Sequence, residues 1–236
     1  MEVLHAPVEH VFIIYIQQEQ EAYFPPARTI KYLQDLLAIA PTYTHPDLGL
    51  GLIPDFDCSP LSEYGAYTGF TPTATLRDAG VRIVELGHAE RRRLSGETDA
   101  QVAAKAAAVC ARHMVPLSVL RAVPADAPVV FAYEPVWAIG RAEPAAVGYV
   151  AAVVRQVREL VRVVAPARTE ERTWVVYGGS AGPGLWSGRR TSRSSGQEGL
   201  GPHVDGMFLG RFAHDIGAVD KVLAEVVDSL NVNAAA

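Results

Sequence analysis

The stretch from Val129 to Tyr177 decides the fold class. It begins with VVFAY (Val129 to Tyr133), an apolar run typical of a buried strand. A long helix is predicted from Pro144 to Val164, because valines recur there every three or four residues on one side. These valines are Val147, Val150, Val154, Val157 and Val161. A second apolar run, TWVVY (Thr173 to Tyr177), follows. A strand, a crossover helix and another strand indicate a parallel pair covered by a helix.

The same alternation extends in both directions along the chain. Five further strands are predicted, at Val11 to Ile16, Leu48 to Ile53, Val81 to Leu86, Val115 to Leu120 and Val204 to Leu209. Further helices are predicted at Ala27 to Ile39, Pro72 to Ala79, Thr98 to His113 and Gly217 to Leu230. Thr98 and Gln101 have the spacing of a capping box, which predicts that a helix starts there. This order indicates either an open doubly wound sheet or a closed barrel. No Gly-x-Gly-x-x-Gly turn follows the first strand, which disfavours the dinucleotide-binding form of the open sheet.

Composition restricts the kinds of partner. The 236 residues are 49% hydrophobic and 20% charged, which suits a single domain spanning residues 1–236. A net charge of -5 gives no basic surface for nucleic acid or an anionic membrane, and no apolar run reaches a membrane span of ~20 residues. Neither the seven histidines nor the two cysteines, Cys58 and Cys110, have metal-ligand spacing, so no metal is expected. The few cysteines and the absence of a signal pattern at the N-terminus predict a reducing, cytoplasmic location.

Five segments, each placed after a predicted strand, carry a family resemblance. They are GAYTG (Gly65 to Gly69), LGHAER (Leu86 to Arg91), AYEPVWAIG (Ala132 to Gly140), YGGS (Tyr177 to Ser180) and LG (Leu209 to Gly210). In this order they resemble the triosephosphate isomerase family. Three longer pieces are most similar to members that act on erythrulose phosphates, phosphorylated four-carbon ketoses. These pieces are GHAERRR (Gly87 to Arg93), GGSAGPG (Gly178 to Gly184) and GRFAHD (Gly210 to Asp215).

The resemblance implies an α/β fold, a parallel (β/α) TIM barrel with its active site at the carboxyl ends of the strands. An incomplete or modified barrel is expected, because seven strands are counted where the fold has eight. The region of the third strand, Pro54 to Tyr64, is short, and Leu120 to Val129 leaves no room for a full helix. Ser187 to Gly201 is polar and aperiodic where another helix is expected.

The resemblance also implies a reaction. The family interconverts a phosphorylated aldose and ketose through an enediolate, an intramolecular oxidoreduction that needs no cofactor. The roles described for triosephosphate isomerase itself place Glu134 as the base and His88 as the neutral electrophile. Glu90 matches a second carboxylate of the site; it either moves the same protons or pairs with an arginine such as Arg91.

Two further parts of the site are implied by the same resemblance. A mobile lid that excludes water would run from a first hinge at Pro135, Val136 and Trp137, through a tip at Ala138, Ile139 and Gly140, to a second hinge at Arg141 to Glu143. The substrate phosphate would be bound by Gly140, Gly179, Ser180, Gly210 and Arg211. The expected substrates are glyceraldehyde 3-phosphate and dihydroxyacetone phosphate, or a tetrulose phosphate, within carbohydrate metabolism such as glycolysis and gluconeogenesis.

One departure concerns a lysine that the family carries after the first strand. Here that position falls on Gln18 or on Glu21, depending on the alignment frame. The three lysines of the chain, Lys31, Lys105 and Lys221, all fall in predicted helices. Arg211 stands where a second glycine usually follows Gly210; it either replaces the missing cation or projects outward.

The lost lysine leaves a second functional interpretation open. The chain is either an active isomerase or a catalytically impaired relative that serves as a binding or structural protein. Errors in the gene model are a third explanation of the local losses. The loop from Gly65 to Phe70 corresponds to one that enters a partner's active site in the family, so a homodimer is expected.

Overall fold

The computed structural model describes residues 10–15, 26–39, 48–53, 71–73, 75, 84–110, 124–189 and 198–234. These residues fall into two compact units. The first takes its described residues from 1–52, 133–154 and 175–236, and the second from 53–132 and 155–174. The single domain expected over 1–236 stays a prediction.

Five strands and five α-helices are found among the described residues. In chain order they are β1 (His10–Tyr15), α1 (Pro26–Ile39), β2 (Leu48–Ile53), α2 (Ala89–Ser95), α3 (Asp99–Cys110), β3 (Val129–Tyr133), α4 (Val147–Val164), β4 (Thr173–Tyr177), β5 (Gly206–Leu209) and α5 (Ile216–Ala234). Three short 3₁₀ helices lie at Val136–Ala138, Glu170–Arg172 and Arg211–His214. The strands predicted near His10, Leu48, Val129, Thr173 and Val204 are confirmed to within a few residues.

The strand order explains why the barrel interpretation is preferred over an open sheet. The order is β2-β1-β5-β4-β3, so the first strand lies beside the last one. β1 and β5 run parallel, with Ile13 opposite Phe208 and Ile14 opposite Leu209. β4 and β5 are also parallel, with Val176 opposite Gly206. A (β/α) barrel places its first and last strands side by side, whereas a doubly wound sheet continues outward from its first strand.

The core of the first unit consists of β4, β5 and α5. All four residues of β5 are buried, as is β4 from Val175 to Tyr177. Strands that are buried on both faces are typical of a parallel sheet that is covered by helices. Helix α5 contributes a stripe at helical spacing: Val219, Val222, Leu223, Val226 and Leu230.

The capping box predicted at the start of α3 is present. The backbone N–H of Thr98 donates to Oε1 of Gln101 at 2.8 Å, and the N–H of Gln101 donates back to Oγ1 of Thr98 at 3.3 Å. These bonds satisfy two of the donors that a helix start leaves without partners. The valine stripe predicted on α4 is also present, with Val150 and Val154 at its buried centre.

The prediction of a strand from Val81 to Leu86 is wrong for its described part. Residues Val84 to Leu86 belong to no strand, and residues 81–83 lie outside the described residues. Val84 and Leu86 are nevertheless buried on either side of a half-buried Glu85. Alternating polarity therefore predicted burial here, but strand pairing also needs a neighbouring backbone in register.

Three other predicted segments lie wholly or mostly outside the described residues. The strand at Val115 to Leu120 and the loop at Gly65 to Phe70 fall there entirely, and of the helix at Pro72 to Ala79 only Thr73 and Thr75 are described as helical.

An ion pair is buried in the second unit. The ammonium group of Lys105 donates to the carboxylate of Glu97, and the two side chains are only 4% and 5% exposed. Glu97 follows Gly96, whose left-handed φ of 65° ends α2 and turns the chain toward α3. Each charged side chain needs the other in order to stay ionised and buried, because an unpaired charge in the protein interior is strongly disfavoured.

Among the described residues, no helix has both the length and the apolar character needed to cross a membrane.

Candidate active site

Glu134 lies at the carboxyl end of β3, against the first residue after β4. A Cβ built on Gly178 would lie 2.7 Å from Cγ of Glu134 and 3.0 Å from its Cδ, and closer still to Oε1. The N–H of Gly178 donates to the carbonyl of Tyr133 at 3.0 Å, which ties the two strand ends together. The half-buried Glu134 carboxylate is therefore held at the end of the sheet where a barrel carries its chemistry.

The predicted lid follows Glu134 directly. Pro135 is buried and leads into the 3₁₀ turn Val136–Ala138, in which Ala138 is fully buried. The side chains of Val136, Trp137 and Ile139 are exposed. The lid therefore has two buried residues, Pro135 and Ala138, and three apolar side chains that face solvent.

Two side chains from the β4 end hold the lid. The hydroxyl of Ser180 lies 2.8 Å from the carbonyl oxygens of Ala138 and Arg141, so one hydroxyl hydrogen serves two carbonyls across the lid tip. The buried hydroxyl of Tyr177 accepts from the N–H of Ala145 at 2.8 Å and donates to the carbonyl of Gly179 at 2.5 Å. These bonds fix the tip of the lid and the backbone at Ala145, just beyond its second hinge.

Ser180 has an unusual backbone conformation. Its φ of 56° is in the left-handed region, and it is the one residue other than glycine with a positive φ among the described residues. This conformation costs roughly 1–2 kcal/mol for an L-residue, and the surrounding structure must offset that cost. The bonds from its hydroxyl to the lid hold it in place.

The predicted phosphate-binding residues gather in the first unit. Gly179 leaves no room for a side chain, because a Cβ there would lie 2.9 Å from Cζ of Tyr177 and 3.0 Å from Cδ of Pro135. Gly210 differs, since a Cβ at this position would have no neighbour within 4 Å. Its exposed neighbour Arg211 begins the 3₁₀ turn Arg211–His214 and reaches Gly140 of the lid.

A cluster of aromatic side chains surrounds the first hinge. Trp137 and Tyr149 meet edge to face, with ring centroids 5.7 Å apart. Burial, followed by a hydrogen bond with Tyr149, raises the pKa of Tyr133 above its ordinary value. Tyr133 therefore stays neutral at physiological pH and supports the hinge by packing and hydrogen bonding.

His88 and Glu90 lie together in the second unit. His88 is the N-cap of α2, and its Nδ1 accepts the backbone N–H of Glu90 at 3.3 Å. Because Nδ1 is an acceptor, the neutral ring carries its proton on Nε2, which makes Nε2–H a hydrogen-bond donor. A neutral donor at a helix start is the arrangement that an electrophile for a carbonyl oxygen requires.

Arg92 fixes the loop that carries His88. Its Nε donates to the carbonyl of Gly87 at 2.9 Å, while its Nη1 meets Asp99 at 2.6 Å. Gly87 has a φ of 74°, which an L-residue adopts only with strain. Both features restrain the backbone immediately before His88.

The structure therefore groups the predicted residues by unit. Glu134, the lid and the phosphate-binding residues belong to the first unit, and His88 and Glu90 to the second. Sequence reasoning gave no role to the side chain of Tyr177 or to the contact of Gly178 with Glu134. The paired glycines after a buried strand were the available signal, since they allow backbone to approach a side chain closely. Among the described residues, no group of three or more His, Cys, Asp or Glu side chains is arranged to hold a metal ion.

Comparison with known proteins decides the family. The family model described as triosephosphate isomerase matches residues 57–121 and 117–226. The chain belongs to the triosephosphate isomerase family. This membership implies the TIM-barrel fold, in agreement with the parallel sheet and its helices.

Two relatives within the triosephosphate isomerase family are L-erythrulose-1-phosphate isomerases. The protein of Pectobacterium atrosepticum is 36% identical over 190 residues, which cover 70% of this chain and 68% of the relative. The protein of Rhizobium meliloti is 34% identical over 194 residues, which cover 70% and 71%. A triosephosphate isomerase of Rhodopirellula baltica is 35% identical over 176 residues, which cover 63% and 65%. The predicted similarity to the erythrulose-phosphate subgroup is confirmed.

Proposed function

We propose that this protein is a sugar-phosphate isomerase that acts on a phosphorylated four-carbon ketose such as L-erythrulose 1-phosphate, in which C1 carries the phosphate and the carbonyl therefore moves between C2 and C3. The observation that carries the proposal is the position of Glu134: its carboxylate lies on Gly178 at the joined ends of β3 and β4, directly before a tied-down lid. The names of the two relatives supply the substrate class.

The proposed reaction moves two protons. Glu134 takes a proton from the carbon beside the carbonyl and returns one to the former carbonyl carbon, while a second proton passes between the two oxygens. His88 donates from Nε2 to the oxygen that becomes negative in the enediolate, and Glu90 lies next to it on α2. No redox partner is needed, because one carbon is oxidised as its neighbour is reduced.

The lid explains how a carboxylate becomes an effective base. Hydrogen bonds from Ser180 to the lid tip and from Ala145 to Tyr177 restrain this segment. In the proposed reaction the restrained lid would keep water from the reacting atoms. Gly140, Gly179, Ser180 and Gly210 then bind the phosphate with backbone groups. The homodimer, the cytoplasmic location and the modified barrel stay predictions.

Proton NMR in deuterated water tests this function. The intact protein is incubated with L-erythrulose 1-phosphate and, separately, with dihydroxyacetone phosphate. We expect deuterium uptake beside the carbonyl and faster turnover of the four-carbon substrate. Glu134→Gln should lower the rate at least 100-fold, because removal of a general base typically costs 10²–10⁴-fold.

Glu171→Gln is the matched control, since Glu171 is an exposed glutamate in the turn Glu170–Arg172. Its rate should equal that of the unmodified chain. A folded protein that exchanges no proton of either substrate would exclude the enzyme and leave the impaired, ligand-binding relative as the better account. Faster turnover of dihydroxyacetone phosphate would reassign the substrate to three carbons.

A further inference from the structure

A cavity of about 590 Å³ lies beside α5 in the first unit. Its lining comes from residues within 186–189, 198–202 and 225–232. The volume is within the range of about 300–1,000 Å³ that is typical of small-molecule sites. None of the lining residues belongs to the candidate active site, so the isomerase reaction does not account for the cavity.

The Trp186 wall of the cavity is held by neighbours on two sides. The N–H of Gly201 donates to the carbonyl of Trp186 at 3.2 Å, and a Cβ built on Gly201 would lie only 2.9 Å from Cε2 of the indole. The indole N–H donates to the hydroxyl of Ser229 on α5 at 2.8 Å. The described parts of the polar stretch Ser187 to Gly201, residues 187–189 and 198–201, adopt turns and bends and not a helix. These turns and α5 together line the cavity.

The lining is negatively charged overall. It carries three carboxylates, from Glu198, Glu225 and Asp228, and one guanidinium, from Arg189, while most of the remaining surface is apolar. The carboxylates do not form a metal site, because no three His, Cys, Asp or Glu side chains of the described residues are grouped to hold an ion. An occupant that suits this lining is therefore an organic cation with an apolar body.

The two carboxylates of α5 differ in how they are bonded. Glu225 accepts the N–H of Gly184 at 2.5 Å and the hydroxyl of Ser187 at 3.0 Å, which fixes its position. Asp228, one turn further along α5, is exposed and forms no ion pair with another described residue. Like charges three residues apart slightly destabilise a helix, so a cation bound at Asp228 would offset the repulsion from Glu225.

We propose that this cavity binds a linear aliphatic diamine. One ammonium group pairs with Asp228 and the other with Glu198, while the methylene chain lies against the apolar lining. Oε2 of Glu198 meets Nε2 of His203 at 3.2 Å, and the other carboxylate oxygen can accept from an ammonium group. The inference is independent of the proposed function, because it uses no residue of the candidate active site.

Isothermal titration calorimetry on the full-length protein tests this site. The titrants are 1,4-diaminobutane and 1,6-diaminohexane, with 1-aminobutane and 1,4-butanediol as the singly charged and the neutral analogue. The variants are Asp228→Asn and Val232→Lys. Asp126→Asn is the matched control for the first, because Asp126 is an exposed aspartate outside the cavity. Val163→Lys is the control for the second, because Val163 and Val232 are helical valines that are both 69% exposed.

Both variants of the cavity should weaken diamine binding at least about tenfold. Asp228→Asn removes one of the two ion pairs. Val232→Lys places an ammonium group four residues after Asp228, where it can pair with the same carboxylate and compete with the ligand. The two control variants should bind within about twofold of the unmodified chain, 1-aminobutane should bind at least about tenfold more weakly than the diamines, and 1,4-butanediol should not bind.

Three results would overturn the inference. The first is that neither diamine binds to the unmodified protein, shown to be folded by circular dichroism. The second is equal binding to Asp228→Asn and Asp126→Asn, which would indicate a general attraction of cations to a chain with a net charge of -5. The third is equal affinity for 1-aminobutane and the diamines, since a second carboxylate would then take no part.

Discussion

Gly178→Ala adds one methyl group beside the proposed base without disturbing the backbone. Gly178 is not among the residues with a positive φ, so alanine can adopt its conformation. The added Cβ would lie 2.7 Å from Cγ and 3.0 Å from Cδ of Glu134. Carbon atoms that are not bonded normally stay about 3.5–4.0 Å apart, so the side chain of Glu134 must move by about 1 Å.

A displacement of this size should reduce catalysis far more than stability. Misplacing a reacting group by about 1 Å is expected to lower kcat about 100-fold, which is about 3 kcal/mol of activation free energy. We expect the KM of Gly178→Ala to change little, because the altered contact involves the base and not the phosphate. The assay is isomerase turnover at saturating substrate, with circular dichroism melts to confirm that the fold is intact.

Gly148→Ala is the matched control for this experiment. Gly148 lies in the first turn of α4, and a Cβ there would have no neighbour within 4 Å. Alanine should keep full activity and raise stability by about 0.5–1 kcal/mol, since glycine disfavours a helix. The reasoning is refuted if Gly178→Ala retains the activity of the unmodified protein while Glu134→Gln loses it.

Three further predictions concern stability and the lid. Lys105→Met leaves the Glu97 carboxylate buried without its partner, so the free energy of unfolding measured in urea should fall by about 3–5 kcal/mol. Adding Glu97→Leu should restore most of this loss. An unchanged urea midpoint in Lys105→Met would contradict the prediction. Burial raises the pKa of Tyr32 from 10.0 to about 12, so its stabilising contribution is complete below pH 10 and is lost as the pH rises toward 12. The melting temperature should fall as the pH rises from 10 to 12, and it should fall less in Tyr32→Phe than in the unmodified chain. Equal falls in the two proteins would show that the ionisation of Tyr32 is not the cause. Tyr177→Phe removes the hydrogen bond that the N–H of Ala145 donates to the hydroxyl. The value of kcat should drop about tenfold, while the melting temperature changes by only a few degrees. An unchanged kcat would show that the position of the lid does not limit the rate.

The sequence predicted those features that depend on neighbours in the chain. The pattern of Thr98 and Gln101 predicted a helix start, because a capping box satisfies donors three residues apart. The valines of α4 predicted its buried stripe, because every third or fourth residue of a helix faces the same way. In both cases the interaction that sets the local structure joins residues within one or two helical turns of each other.

Features that depend on distant residues were not predicted. Nothing in the local pattern pairs Glu97 with Lys105, since they lie on different sides of a helix start and each alone suggests a solvated charge. The bond from Ala145 to Tyr177 joins residues 32 apart. Strand pairing also depends on residues that are distant in the chain. The run from Val81 to Leu86 therefore indicated that Val84 and Leu86 are buried, but not whether its backbone pairs with another strand.

The segment from Tyr177 to Ser180 connects the base to the lid. Tyr177 accepts from the N–H of Ala145, just beyond the lid, and Gly178 lies against Glu134. Ser180, whose backbone is left-handed, donates to carbonyls of the lid tip and the second hinge. Tyr177 is the last residue of the buried strand β4 and Gly178 to Ser180 follow it directly, so the sheet restrains their positions relative to one another. A shift of the lid therefore acts on the same backbone that contacts the base. Because positioning of the base and exclusion of water share this backbone, substitutions here should lower kcat even where the altered atom touches no substrate.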